Sequence, residues 1–274
     1  MPQPDFDQYR ILQLIGAGAR SRVYKVYHRD TRKRFAIKHV VVDSPKAQRY
    51  LRQLENEFAC ARDLIHPNIV RVHDLVVRKR LLRVTEAYLV MELVRGKSML
   101  RDPKAYSFEQ LMFYFRQAAD GLAYVHEHGI IHTDIKPKNL IITSRDLVKI
   151  VDFGQATVPG RSKGRVQGTF EFMAPEQVRD EVLDVRTDIF NLAAAMYFML
   201  SGRHIPPIVA ATLGEVDFVP SRLRRPASIA ELNPRVTPEL DQLLRHSCSR
   251  TRGDRPATMR DFIEQLEAAI QAGT

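Results

Sequence analysis

His132-Thr133-Asp134-Ile135-Lys136-Pro137-Lys138-Asn139, followed thirteen residues later by Asp152-Phe153-Gly154, is the stretch on which the reading of this chain turns. In a short span it offers a carboxylate, an ammonium group, a carboxamide and a second carboxylate. Its first groups stand between the apolar pair Ile130 and Ile131 and the apolar run Leu140-Ile141-Ile142. Such groups suit a transferring phosphoryl group, whose dispersed negative charge makes catalysis mostly a matter of positioning and cationic stabilisation. Asp134 can orient a hydroxyl nucleophile and take its proton, and a general base of this kind contributes roughly 10²- to 10⁴-fold. Lys136, two residues on, can reach the phosphate. Asn139 and Asp152 are oxygen ligands of the type Mg²⁺ takes in small number, with water and phosphate oxygens completing the octahedron.

Together, in this order and at this spacing, the two motifs resemble the catalytic loop and the metal-binding Asp-Phe-Gly of eukaryotic-type (Hanks-type) Ser/Thr protein kinases. The resemblance runs over roughly residues 9–270 and implies an α+β, bilobal fold. A small antiparallel β-sheet lobe with one main helix would occupy residues 9–93, a larger mainly helical lobe residues 94–270, and a nucleotide cleft would lie between them. Residues 1–274 then form a single kinase domain. The implied reaction moves the γ-phosphate of ATP to a Ser or Thr hydroxyl of a protein substrate. Asp134 is the base, and Asn139 and Asp152 hold Mg²⁺, with Mn²⁺ as the alternative metal. Lys136, two after the base, is the Ser/Thr-type choice in that family. The wording of Ala174-Pro175-Glu176-Gln177 and of residues 233–241 is similar to bacterial members.

Upstream, residues 9–14 read as a strand and residues 15–23 as a Gly-rich turn into a second strand over 23–27. Gly16 and Gly18 let backbone amides approach phosphate where a side chain would collide. Phe35-Ala36-Ile37-Lys38 follows as a strand closed by a lysine. By the resemblance, Ile15, Gly16, Gly18 and Val23 cover the nucleotide and Lys38 grips its α- and β-phosphates; the family's third glycine is Ser21 here, which stiffens the loop. Ser44-Pro45 has the form of an N-cap and first-turn proline, opening a helix with Leu51, Leu54, Phe58 and Leu64 on one face. Glu57, ten residues before Pro67, has the placement of the family's Lys-pairing glutamate. Glu55 competes, but two helical positions lie about 200° apart, so only one of the two can face the lysine.

Residues 70–77 and 88–92 read as strands joined through the basic stretch 78–83. By resemblance Met91 limits the back of the adenine pocket, the C=O of Glu92 and the N–H of Val94 pair with adenine, and Ile141 forms a floor under a ceiling of Val23 and Ala36. Ser107 with Gln110 has the form of a capping box for a helix ending at Gly129. His132 reads as a buried brace and not as a base. Residues 168–176, ending in Ala174-Pro175-Glu176, match the family's anchor of the substrate-covering segment. There the resemblance implies that Thr169 bonds between Asp134 and Lys136, that Glu176 pairs with Arg255, and that Asp188 caps the catalytic-loop backbone. Residues 187–200 form an apolar core helix, 206–234 are rich in Pro and Arg without an assignment, and helices begin at Thr237 and Thr258.

Thr133 stands where many members have an arginine that receives a phosphate and orders the covering segment. With Arg161, Lys163 and Arg165 inside the segment itself, phosphate-driven ordering is not expected to be the main switch.

Composition narrows the remaining classes. The 274 residues are 45% hydrophobic and 27% charged, as in an ordinary globular protein. No run approaches the eighteen apolar residues of a membrane span and residues 1–13 lack a signal peptide's apolar centre, so a cytoplasmic location is expected. Cys60 and Cys248 lack metal spacing and read as reduced thiols in helices. The net charge of +10 gathers at 78–80, 161–165, 222–225 and 245–255. No base-stacking or groove-reading motif accompanies it and there is no Trp, so solvated faces or a preference for acidic partners, with acidic residues near the target hydroxyl, are expected, not nucleic acid. Two rival classes remain: a pseudokinase-like nucleotide-binding scaffold, which would bind ATP without turnover, and a small-molecule kinase, which would phosphorylate metabolites but not proteins.

Overall fold

The computed structural model describes residues 6–18, 20–164, 169–206, 209–212, 215–218 and 227–273. Ala19 of the Gly-rich turn, Arg165 and Gly168 of the covering segment and the 222–225 cluster lie outside them. The chain divides into two compact units, residues 1–95 with 152–155 and residues 96–151 with 156–274. The division falls two residues beyond the expected 93/94 boundary and groups the Asp-Phe-Gly segment with the first unit.

In the first unit, β1 (Tyr9–Ala17), β2 (Ser21–His28), β3 (Arg34–Val41), β4 (Val72–Arg80) and β5 (Arg83–Glu92) form one antiparallel sheet in the order β1-β2-β3-β5-β4. Alternation of side chains along a strand decides what each face carries. Tyr24, Val26, Ile37, Tyr88 and Val90 share one face and bury a cluster closed by Phe6, which precedes β1. The register pairs Val23 with Lys38, Ala36 with Met91 and Lys38 with Leu89, so Val23, Ala36, Lys38 and Met91 belong to the opposite face. Strand β5 begins five residues before the expected start at 88, and the basic stretch is the tip of a tight β4–β5 hairpin with Leu81 and Leu82 exposed.

A 3₁₀ turn (Pro45–Ala47) leads into α1 (Gln48–Ala61), which buries Leu51, Leu54, Glu57 and Ala61 on one face. Ser44 precedes the 3₁₀ turn and not the α-helix, and its hydroxyl caps nothing, so proline's fixed φ and not a side-chain cap starts this element.

The second unit is mainly helical. Its long elements are α2 (Phe108–Glu127), α4 (Val185–Ser201), α6 (Pro238–Ser247) and α7 (Met259–Gln271), with short α3 (Pro175–Val178) and α5 (Ile229–Leu232). Phe115, Leu122 and Val125 of α2, Ile189, Leu192 and Met196 of α4, and Phe262 and Leu266 of α7 are fully buried. Caps start these helices where the sequence predicts. Gln110 N–H donates to Ser107 Oγ at 3.2 Å while the Gln110 carboxamide returns the bond, and Thr237 and Thr258 accept from Leu240 and Asp261. Residues 206–234, unassigned from sequence, contain the hairpin β9 (Val209–Thr212) and β10 (Glu215–Phe218) and then α5.

In a small sheet of β6 (Gly96–Ser98), β7 (Leu140–Thr143) and β8 (Val148–Ile150), the catalytic-loop sequence leads directly into the central strand, β7. Gly96 is required there, because a Cβ would sit 2.3 Å from the Ile142 carbonyl oxygen. Among the described residues no helix is long and apolar enough to cross a membrane.

Candidate active site

The first unit holds a three-membered charge cluster. Lys38, on β3, donates to Glu57 Oε2 of α1 at 2.7 Å and to Asp152 Oδ1 at 2.8 Å. Glu57 is the buried glutamate of α1, while Glu55 points to solvent. Burial alone would lower the Lys38 pKa, but the two carboxylates outweigh it and hold the ammonium above its ordinary value, so Lys38 stays charged. Asp152 has a left-handed backbone (φ 69°), a sparsely populated conformation for a residue with a Cβ, and its carboxylate remains 45% exposed. The segment it leads is tied to α1: Asn56 Nδ2 donates to the carbonyls of Phe153 (3.4 Å) and Gly154 (3.5 Å). A Cβ on Gly154 would lie 3.3 Å from Asp152 Oδ1, so the glycine leaves the carboxylate its room.

Around this cluster stand the residues expected to enclose a nucleotide. Gly16 pairs with Val23 across β1 and β2, and Gly18 N–H bonds the Ser21 carbonyl at 2.8 Å, which closes the turn without the family's third glycine. Ile15 is 45% exposed, Ala36 and Met91 are buried, and Val94 is half-buried. Glu92 is held by its own backbone, with its N–H on the Arg71 carbonyl at 2.7 Å.

The second unit holds the catalytic-loop groups. Lys136 Nζ lies 2.9 and 2.8 Å from the two oxygens of Asp134 and also donates to Thr169 Oγ1 at 3.1 Å. Lys136 is thus the group between Asp134 and Thr169. Asn139 Nδ2 donates to the Asp134 carbonyl (2.9 Å) and to its Oδ2 (3.2 Å), so its own amide oxygen is turned away from Asp134. All of these groups except Thr169 come from one short loop, with Pro137–Asn139 forming a 3₁₀ turn that feeds β7, where Ile141 sits half-buried.

The loop is fixed from beneath by buried groups. Asp188, fully buried on α4, accepts from the backbone N–H of His132 at 2.7 Å and of Thr133 at 2.6 Å, with His126 Nε2 at 2.9 Å. Burial would raise the Asp188 pKa, but these partners, His126 first, pull it below its ordinary value. His132 is itself fully buried, with Nε2 3.2 Å from the Val151 carbonyl, and Asp134 N–H donates to its Nδ1 at 3.3 Å. Glu176 meets Arg255 in a two-pronged pair at 2.7 and 2.9 Å, with Thr187 Oγ1 on the same carboxylate and the guanidinium stacked 4.9 Å from the Phe190 ring. Arg255 outweighs the burial that would otherwise raise the Glu176 pKa and sets it below the ordinary range.

Asn56, His126 and Gln177 are positioned at the site without having been read from sequence. Gln177 Nε2 donates to the Thr133 carbonyl at 2.7 Å, and its Oε1 accepts from Ala174 N–H and Asn191. The available signal was a polar side chain on the otherwise apolar face of a helix, which for Asn56 lies next to Glu57.

A family model described as the protein kinase domain matches residues 9–266. Among named relatives, the serine/threonine-protein kinase PknB of Mycolicibacterium smegmatis is 28% identical over 97% of this chain and 43% of its own length. A probable serine/threonine-protein kinase of Clostridium perfringens is 28% identical over 95% of the chain and 38% of its own, and sperm motility kinase 2B of Mus musculus 29% over 87% and 51%. The chain therefore spans about half or less of the length of these relatives. With the match running from β1 into α7, the chain belongs to the protein kinase domain family.

Proposed function

We propose that this chain transfers the γ-phosphoryl group of ATP to a Ser or Thr hydroxyl of a protein substrate. The observation that carries this reading is the Lys136 ammonium shared between the Asp134 carboxylate and Thr169 Oγ1. It leaves a base and a cation side by side on one buried loop. In the reaction the hydroxyl oxygen bonds to the γ-phosphorus, the bond from that phosphorus to the β,γ-bridging oxygen breaks, ADP leaves, and the hydroxyl proton passes to Asp134. Lys136 orients Asp134 and offsets charge on the transferring group. Lys38, kept charged by Glu57 and Asp152, serves the α- and β-phosphates, under a cover of Ile15, Gly16, Gly18 and Val23. Adenine is held by Ala36, Met91, the backbone of Glu92 and Val94, and Ile141.

The donor set fits Mg²⁺ in preference to a metal needing a full protein cage: one half-exposed carboxylate on Asp152 and one amide oxygen on Asn139, with phosphate and water oxygens as the remainder. Bound there, the ion would neutralise the phosphate oxygens. Mn²⁺ would be accepted by the same oxygen donors.

Incubation of the chain with radiolabelled ATP and Mg²⁺ and a protein acceptor, beside an Asp134→Asn control, tests the reading. Label recovered as phosphoserine or phosphothreonine and lost in the control is expected. Nucleotide binding without any transfer would point to a scaffold, and transfer to metabolites but not proteins to a small-molecule kinase.

A further inference from the structure

Thr133 carries a contact that the catalytic reading leaves unused. It is a β-branched residue in the left-handed region (φ 62°), a conformation such side chains adopt only where the surroundings over-determine it. Three separate elements hold it. Asp188 of α4 takes its N–H, Gln177 of α3 donates to its carbonyl at 2.7 Å, and the Lys163 ammonium donates to its Oγ1. Thr133 is 2% exposed and directly precedes Asp134, so whatever sets its backbone sets the position of that carboxylate.

The third anchor comes from the segment that follows Asp-Phe-Gly, and that segment is itself fastened. Thr157 and Ile131 exchange backbone bonds at 2.8 and 2.9 Å. Gly160 N–H bonds the Leu183 carbonyl at 2.9 Å, and Leu183 N–H bonds the Arg161 carbonyl at 3.1 Å. Lys163 N–H then bonds Asp180 Oδ1 at 3.0 Å, which fixes the lysine backbone while its side chain reaches Thr133. A cation built into the segment thus meets a neutral hydroxyl on the loop, with charge and acceptor in the reverse positions from a phosphate on the segment meeting an arginine on the loop.

We propose that Lys163 is a positioning residue that locks Thr133, and through it Asp134, in register with residues 157–163 of the covering segment, so that this part of the segment is held without an added phosphate. This rests on the phosphoryl-transfer reading above. Lys163 touches no reacting atom; it acts through the Thr133 hydroxyl.

The test compares the unsubstituted chain with Lys163→Met, Thr133→Val, the double variant and Lys163→Arg. Thr133→Val keeps the β-branch and deletes only the acceptor. In Lys163→Met and in Thr133→Val kcat is expected to fall about 10- to 100-fold, the scale of a small misplacement of a catalytic group. KM for ATP and the melting temperature should not move. The double variant should be no slower than either single, because both remove one interaction. Lys163→Arg should recover most of the rate, and prior phosphatase treatment should change none of these values. An unchanged kcat in Lys163→Met, multiplying losses in the double variant, or loss of transfer on dephosphorylation would each overturn the proposal. Hydrogen exchange at the Gly160 and Lys163 amides gives an activity-free readout: faster exchange in Lys163→Met supports the lock, and unchanged exchange refutes it. Absence of transfer from the unsubstituted chain would instead sink the functional reading, with exchange alone then deciding the lock.

Discussion

A carboxylate with a lysine 2.8 Å from it can accept a proton only if its geometry survives, and the bonds around Asp134 are arranged to that end. Asn139 and Lys136 hold its side chain, while its N–H is bound to His132 and the preceding N–H groups to Asp188. Replacing Asp134 by Asn keeps most of these bonds and removes the basicity. The expected loss in kcat is therefore roughly 10²- to 10⁴-fold with little change in KM for ATP, read by steady-state kinetics. Lys38→Met strands Glu57, which is 1% exposed, so it should reduce transfer and also lower the midpoint of thermal unfolding, whereas Asp152→Ala should abolish transfer with a smaller thermal effect. A pair of variants whose effects were reversed would contradict the assignment of Asp152 to the metal and of Lys38 to the phosphates. Arg255, 3% exposed and paired with Glu176, gives a different kind of prediction. Arg255→Met leaves a buried carboxylate without its partner and should cost about 3 to 5 kcal/mol in denaturant unfolding. Replacing both members by apolar residues should cost much less, since no charge is then left behind.

At the scale of elements, the site depends on where strands and helices begin. The capping box at Ser107 starts α2, which leads toward the loop, and Ser107→Ala is expected to cost about 1 kcal/mol by equilibrium unfolding. Gly96 matters through contact and not through φ. An added Cβ would strike the backbone of Ile142, so Gly96→Ala should separate β6 from β7 and destabilise by about 1 to 3 kcal/mol, the usual cost of overpacking. Exchange of the amides bonded between those two strands would report it, and unaltered protection would count against the close approach. The β3–β5 register is the third case. Val23, Ala36, Lys38 and Met91 share a face only because Val23 pairs with Lys38 and Ala36 with Met91, and a one-residue slip of β5 against β3 would turn Met91 to the face opposite Ala36 and Lys38.

For the molecule as a whole, the buried acids tie stability to pH. Asp188 and Glu176 both have native pKa values below their ordinary values of 3.8 and 4.5. A depressed native pKa means that the unfolded chain binds the proton more tightly, so the stabilisation is fully present above the ordinary value. It is lost as pH falls through the native one. Unfolding free energy is therefore expected to be flat in this respect near neutrality and to drop below about pH 4.5, measured by denaturant titration at a series of pH values. Asp188→Asn should flatten part of that drop, and an unchanged slope would show that Asp188 does not carry it. The net charge of +10 acts over the same range, since protonating carboxylates adds to self-repulsion and steepens the loss at low salt.

The sequence by itself determined the family, the α+β class and the composition of the catalytic loop, because Asp134, Lys136 and Asn139 lie within six residues and a single turn brings them together. The capping box at Ser107 and the helical faces were legible for the same reason: their partners are three or four positions apart. What only the tertiary structure decided are the pairs separated by long stretches of chain. Lys38 meets Asp152 across 114 positions, and it meets Glu57, the glutamate that the sequence favoured over Glu55, across 19. Phe6, which precedes the first strand, is buried in the cluster on one face of the sheet, while the basic stretch around residue 80 closes a hairpin and exposes two leucines. The contact of Lys163 with Thr133 spans 30 positions and joins a cation of the covering segment to the residue that stands where many family members have an arginine. Local propensity fixes a residue's neighbours over a turn or two, but strand register and the closing of loops decide which distant groups meet.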